Sequence, residues 1–249
     1  PCAPLLSLES DCDLDQNEYL YIVNFYGQIT SKDIMMLNNK YSQIIADYVQ
    51  AFFQKPVHGV DTIYSCRKFF GVPDGAYLYT DVILNHQLDT DVSKDKMSHL
   101  LGRFEGEARD YYLDFKHNDA FFRDLPLKTM SELTKNILGA IDYEKARIRR
   151  NQNFEYLHTL LGELNLLNPK MADGAFAYPF LVKNGIAIKS KMAQKGIYIP
   201  TLWPNVLDEK IKNSIEYDFA ANILPLPCDQ RYTLDDMRTI IKELKTCIG

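Results

Sequence analysis

Long apolar runs are missing. Nowhere do the 249 residues approach the roughly 20 consecutive apolar positions needed to span a bilayer, which excludes a membrane-spanning helix and any role that depends on one. Cysteine is scarce and unpatterned. Its five copies, at positions 2, 12, 66, 228 and 247, are odd in number and form no CxxC pair, so neither a disulfide framework nor a zinc site is expected. A reducing, cytoplasmic compartment fits that usage. The five histidines are scattered without an HExxH pair, and no metal is expected. Excess positive charge is absent too. A net charge of −5 and a pI near 5.6 argue against a nucleic-acid partner bound through bulk charge, and Arg147, Arg149 and Arg150 form the only dense basic patch. There is no glycine-rich phosphate loop, which disfavours a plain nucleotide-binding α/β domain, and there is no internal repeat.

What is present is globular: 46% hydrophobic and 24% charged residues, enough to bury a sizeable core. After a polar, acidic lead-in over 1–17, the segment 18–26 (EYLYIVNFY) is aromatic and β-branched and predicts a strand. Ser31 reads as the N-cap of a short helix. Residues 43–46, 61–65 and 76–83 read as three further strands, the last two separated by a Gly/Pro turn. Strands interleaved with a helix predict an α/β sheet. Met97, Leu100, Leu101, Phe104, Ala108, Tyr111, Tyr112 and Phe115 fall on one helical face and predict a single helix with a core or subunit-interface stripe. Further helices are expected from Ser131, and over 142–164 with Ile148, Phe154, Leu157, Leu161 and Leu164 along one side. The remainder reads as a small α+β unit: strands over 176–182, 196–200 and 222–226, and helices over 186–193 and 234–244. The expected division is a large N-terminal domain over 1–145, and a connector helix with a small C-terminal domain over 146–249.

The densest chemical signal lies between Ile44 and Ala76. Asp47 ends an apolar strand, and carboxylates at the carboxyl ends of strands point into the crevice where α/β proteins bind ligands. A helix-cap or turn aspartate is the plainer reading. Lys68 follows a strand, precedes a Gly-x-Pro-Asp-Gly turn and is followed by Phe69 and Phe70. A lysine against apolar walls is partly desolvated and more nucleophilic toward an aldehyde, although a solvated surface lysine is the default. A lysine and a carboxylate together are what an aldehyde cofactor with a pyridine ring requires, namely pyridoxal 5'-phosphate (PLP).

These segments resemble the DegT/DnrJ/EryC1/StrS family of PLP-dependent sugar aminotransferases. Residues 45–51 (IADYVQA) are similar to its Asp-bearing strand motif, and residues 68–76 (KFFGVPDGA) to its lysine motif, with Asp74, Pro73 and Ala76 departing from it. Residues 149–157 (RRNQNFEYL), 195–200 (KGIYIP) and 224–232 (LPLPCDQRY) resemble its connector helix and small domain. The resemblance implies the aspartate-aminotransferase architecture (PLP fold type I), with a partial large domain. Family members carry roughly a hundred further N-terminal residues, including a helix start that grips phosphate. It implies transfer of an amino group from a glutamate-like amino acid to a keto-sugar nucleotide by a homodimer. Lys68 would form the internal aldimine and shuttle the proton, Asp47 would hold the pyridinium nitrogen, and Gln50 would bond the ring oxygen. Ser65 and Lys128 are the candidates for the phosphate. In the C-terminal part, Arg231 is a candidate carboxylate or phosphate fork, and Tyr198 and Trp203 are candidate sugar or nucleotide contacts, each also readable as packing. The alternative is a non-catalytic or truncated relative acting as a dimerising or ligand-binding module.

Overall fold

The computed structural model describes residues 14–85, 87–107, 109–123, 125–208 and 214–248. Strand β1 (Leu20–Val23) is followed by α1 (Ser31–Tyr41), β2 (Ile44–Asp47), β3 (Asp61–Ser65) and β4 (Ala76–Tyr79). The four strands form one sheet in the order β1-β2-β3-β4, with β1, β2 and β3 parallel and β4 antiparallel to β3. Helix α1 begins one residue earlier than the Ser31 cap expected from sequence. Thr30 is the N-cap, because its hydroxyl accepts from Asp33 N–H while the Asp33 carboxylate accepts from Thr30 N–H, a closed capping box. The first predicted strand stops at Val23, because the chain leaves the sheet through Asn24. The buried Asn24 amide accepts from Ile29 N–H at 2.8 Å and donates to Ile29 C=O at 3.0 Å and Gln54 Oε1 at 2.9 Å. β4 likewise ends at Tyr79 rather than at Ile83.

Strand alternation sorts the sheet into two unlike faces. Ile22, Ile44, Ala46 and Tyr64 point into a core shared with Ile34 and Leu37 of α1 and with Val57 and Val60. Tyr21, Val23, Ile45, Asp47, Ile63 and Ser65 alternate onto the other face and are half-buried or exposed.

The middle of the chain departs from expectation. The stripe from Met97 to Phe115 forms two helices, α2 (Ser98–Glu105) and α3 (Tyr112–Phe121), and Ala108 lies outside the described residues. The break comes from one side chain packing back across the bend. The Tyr111 ring packs directly over Gly102, where an added Cβ would lie 2.1 Å from the ring, and it also approaches Gly106. The chain therefore folds back at the glycines. Leu101, Phe104 and Tyr112 face solvent, Phe104 almost fully, so the stripe is no core of this chain.

Helices α4 (Glu132–Gly139), capped by Ser131, and α5 (Tyr143–Leu161), capped by Asp142, begin where the sequence predicts. Along α5, Ala146, Arg150, Asn153, Phe154, Leu157 and Leu161 are buried and Ile148 is exposed; the helix ends at Leu161, so the expected stripe residue Leu164 falls in the following turn and is exposed. Then follow β5 (Tyr178–Leu181), α6 (Gly185–Gln194), α7 (Pro204–Asp208), α8 (Ile215–Asn222), β6 (Ile223–Leu226) and α9 (Leu234–Ile248). β5 and β6 pair antiparallel, and their side chains pack with Phe154, Leu157 and Leu161 of α5 and Met237, Ile240 and Leu244 of α9. The strand expected over 196–200 is absent. Only its glycine turn forms, with Gly196 at φ +77°. No described helix is long and apolar enough to cross a membrane.

Candidate active site

Parallel strands place their carboxyl ends together, and here those ends carry Asp47 on β2 and, just past β3, Lys68. Asp47 lies on the open face. Its Oδ2 accepts from Tyr21 Oη at 2.8 Å and its Oδ1 from Val49 N–H at 2.9 Å, so each oxygen has a donor.

Lys68 is presented by a turn whose other members are pinned. Phe69 and Phe70 N–H both donate to Cys66 C=O, and Cys66 N–H donates to Gly75 C=O. The Phe69 and Phe70 rings are buried in an aromatic cluster with Phe52, Phe53 and Tyr143. With both phenylalanines anchored inward, Lys68 points out. Its ammonium lies 5.8 Å from the centroid of the Phe176 ring. Solvent reaches the side chain, yet the surrounding protein removes enough water to lower the lysine's pKa. Asp47 and Asp119 act against that shift and Arg67 adds to it. Asp47 and Lys68 are thus close enough to attract electrostatically.

The Phe69 carbonyl, one residue beyond the lysine, is held from the far end of the chain. Arg150 Nη2 donates to it at 3.2 Å and Gln230 Nε2 at 2.8 Å. Arg150 is fully buried, lies over the Phe69 ring at 4.5 Å, and also donates to Ala175 C=O and Gln230 Oε1. Burial lowers its pKa. Neither Arg150 nor Tyr21 stands out as a site residue in sequence. Arg150 carries one usable signal, its place on the same helical stripe as Asn153, Phe154 and Leu157. Tyr21 carries none, because its link to Asp47 depends on strand register.

The other candidates are distributed. Ser65 ends β3 on the same face as Asp47. Gln50 is buried and its Oε1 accepts from Tyr26 N–H at 2.9 Å, so any bond to a cofactor oxygen falls to its Nε2 end. Trp203 packs edge-on against Phe25 at 4.7 Å, next to the carboxyl end of β1. Tyr198 is exposed. Lys128 is drawn to Asp91 at 3.6 Å, an aspartate that Lys96 also holds. Arg231 presents its fork to Asp229, Nε to Oδ1 at 2.8 Å and Nη2 to Oδ2 at 2.9 Å, which raises its pKa. Asp74, from the lysine motif, is buried and structural. It accepts from Ser93 Oγ at 2.6 Å, from Ser131 N–H at 3.1 Å and from the Thr134 hydroxyl, tying the turn to the start of α4. A concavity of about 840 Å³ lies elsewhere, lined by residues such as Leu164, Leu166, Ile186, Lys191 and Ile248, and it includes neither Asp47 nor Lys68.

No family model matches the sequence, and no curated protein does. Solved structures do match. A DegT DnrJ EryC1 StrS aminotransferase from Brucella abortus superposes with a TM-score of 0.53 at 13% identity, over 91% of this chain and 63% of its own. DesI, solved in the presence of its TDP-sugar product, gives 0.56 at 12% identity, over 95% and 64%. This is the fold of the DegT/DnrJ/EryC1/StrS aminotransferases. A protein named as a sugar aminotransferase from Streptococcus pneumoniae, solved in a PLP form, gives 0.53 at 13% identity, over 91% and 67%. The mixed α/β architecture is therefore PLP fold type I over part of its length, and the chain spans a little under two thirds of the first two neighbours. Asp47 and Lys68 lie at the carboxyl edge of the parallel strands, the edge along which open α/β sheets hold ligands.

Proposed function

We propose that this chain carries the lysine–aspartate pair of a PLP-dependent aminotransferase that moves an amino group from a glutamate-like amino acid to a keto-sugar nucleotide. The observation that carries the reading is that the outward Lys68 amine, just past β3 and with a pKa lowered by burial, and the Asp47 carboxylate, at the end of the neighbouring β2, lie on the same strand-end edge. The donor set fits the two ends of the cofactor's ring system. Lys68 Nζ would hold the aldehyde carbon, and Asp47 would face the ring nitrogen. Gln50 Nε2 would donate to the ring oxygen, and Ser65 Oγ would serve the phosphate, with Lys128 adding charge there once it leaves Asp91. When bound, PLP supplies an electron sink that loosens a bond to the substrate's amine-bearing carbon. The chain's own part is to orient that ring, hold the Asp47 carboxylate toward its nitrogen and carry a proton on Lys68 Nζ. Tyr198, Trp203 and Arg231 are assigned to the sugar-nucleotide or donor side. A homodimer is part of the reading, with the exposed Leu101, Phe104 and Tyr112 of α2 and α3 as apolar surface for it. Those same side chains favour a second reading, a dimerising module without catalysis.

One experiment separates the two. The protein is incubated with PLP, treated with borohydride and mapped by mass spectrometry. A pyridoxyl group on Lys68, absent in Lys68→Ala, supports the enzyme. Its absence from the wild-type protein rejects the enzyme. Amino-group transfer from glutamate to a keto-sugar nucleotide then tests the substrate class.

A further inference from the structure

We propose that Tyr21 is a positioning residue for Asp47, holding its carboxylate in the orientation in which it meets the ring nitrogen of the cofactor. The inference rests on the function proposed above. The Tyr21 side chain is 54% exposed, so core packing does not dictate where its phenol points. It nevertheless reaches across to the neighbouring strand and donates to Asp47 Oδ2 at 2.8 Å. Val49 N–H donates to the other oxygen at 2.9 Å. A carboxylate otherwise rotates in a broad torsional well. Two donors, one on each oxygen, fix its plane.

Register decides from which side the phenol comes. Tyr21 pairs with Ile45, and Val23 pairs with Asp47. The phenol therefore approaches from the amino-terminal side along the open face and leaves the strand end to a ligand. The proton stays on Tyr21 at neutral pH, because burial, the Asp47 hydrogen bond and the Asp47 charge push its pKa up to about 12. The contact needs a phenol on the open face of β1, two residues back from the register partner of Asp47.

The test compares PLP with its deaza analogue, in which the ring nitrogen is replaced by CH. Both aldehydes can attach to Lys68, but only PLP has a ring nitrogen for Asp47 to meet. The readout is the borohydride-fixed adduct on Lys68 as a function of aldehyde concentration. Tyr21→Phe is expected to weaken PLP attachment roughly three- to tenfold, the net effect of one typical partly solvated hydrogen bond, and to leave the analogue unchanged. In an Asp47→Asn background the same substitution is expected to have no further effect. Equal weakening of both aldehydes, or none of either, overturns the inference while the proposed function stands. Failure of both aldehydes to attach to the wild-type protein overturns the function, and the inference with it.

Discussion

Replacing Arg150 with alanine removes a buried side chain that, together with Gln230, joins the Lys68 turn to the C-terminal part of the chain. Three acceptors lose a charged donor: Phe69 C=O at 3.2 Å, Ala175 C=O at 2.8 Å and Gln230 Oε1 at 2.7 Å. The Phe69 carbonyl keeps Gln230 Nε2 and the Ala175 carbonyl keeps only the weak Cys228 thiol donor at 3.6 Å, so Gln230 Oε1 is left with no donor and Ala175 C=O with a poor one. Each stranded buried acceptor costs about 1–3 kcal/mol. The loss of stacking on Phe69 and the volume left behind add roughly 1–2 kcal/mol. Relief of burying a cation works the other way and offsets part of the loss. The expected net destabilisation is about 3 kcal/mol, close to the usual range for breaking a buried polar network. Arg150→Met restores volume but not donors, and about 2 kcal/mol should remain. Urea unfolding followed by far-UV circular dichroism measures both. If Arg150→Ala unfolds within about 0.5 kcal/mol of the wild-type protein, the buried guanidinium holds nothing together and the reasoning is wrong.

Two further outcomes follow from charge and burial. Asp47 raises the Lys68 pKa against the desolvation that lowers it, so Asp47→Asn should lower that pKa further. The pH profile of Lys68 modification by an amine-reactive reagent, read by peptide mass, should shift to lower pH in the variant, and a shift to higher pH refutes the assigned proximity. Lys189 is buried, donates to Ala220 C=O, and has its pKa lowered by burial to about 8. The unfolded chain binds this proton more tightly, so folding gains stability as pH rises from about 8 toward the ordinary lysine value of 10.5. Lys189→Met should therefore be most stable relative to wild type below pH 8, and that advantage should shrink by a few kcal/mol by pH 10. Parallel urea midpoints at pH 7 and pH 10 check it, and a constant difference refutes the buried-cation assignment.

Local pattern carried a good part of this fold. The strand over 61–65, the Ser131 and Asp142 helix starts and the closing helix were legible because period, caps and β-branched content act over a few residues. The local settings of Asp47 and Lys68 were legible for a related reason: a strand ending in a carboxylate and a lysine before a tight turn are short linear patterns. What escaped was non-local. The 97–115 stripe has helical period throughout, yet Tyr111 lies over Gly102 and folds it into two. Arg150 looks like a surface cation until α5 is rotated against Phe69 and Ala175. Tyr21 and Asp47 stand 26 residues apart, and only the parallel register of β1 on β2 brings phenol and carboxylate together. Sequence alone determined where many of the short strands and helices begin, and which residue types stand at the ends of the strands. Tertiary structure alone decided which of those side chains share an edge, which cations are consumed by buried partners, and which apolar faces remain open, because such choices depend on distances between residues far apart in the chain.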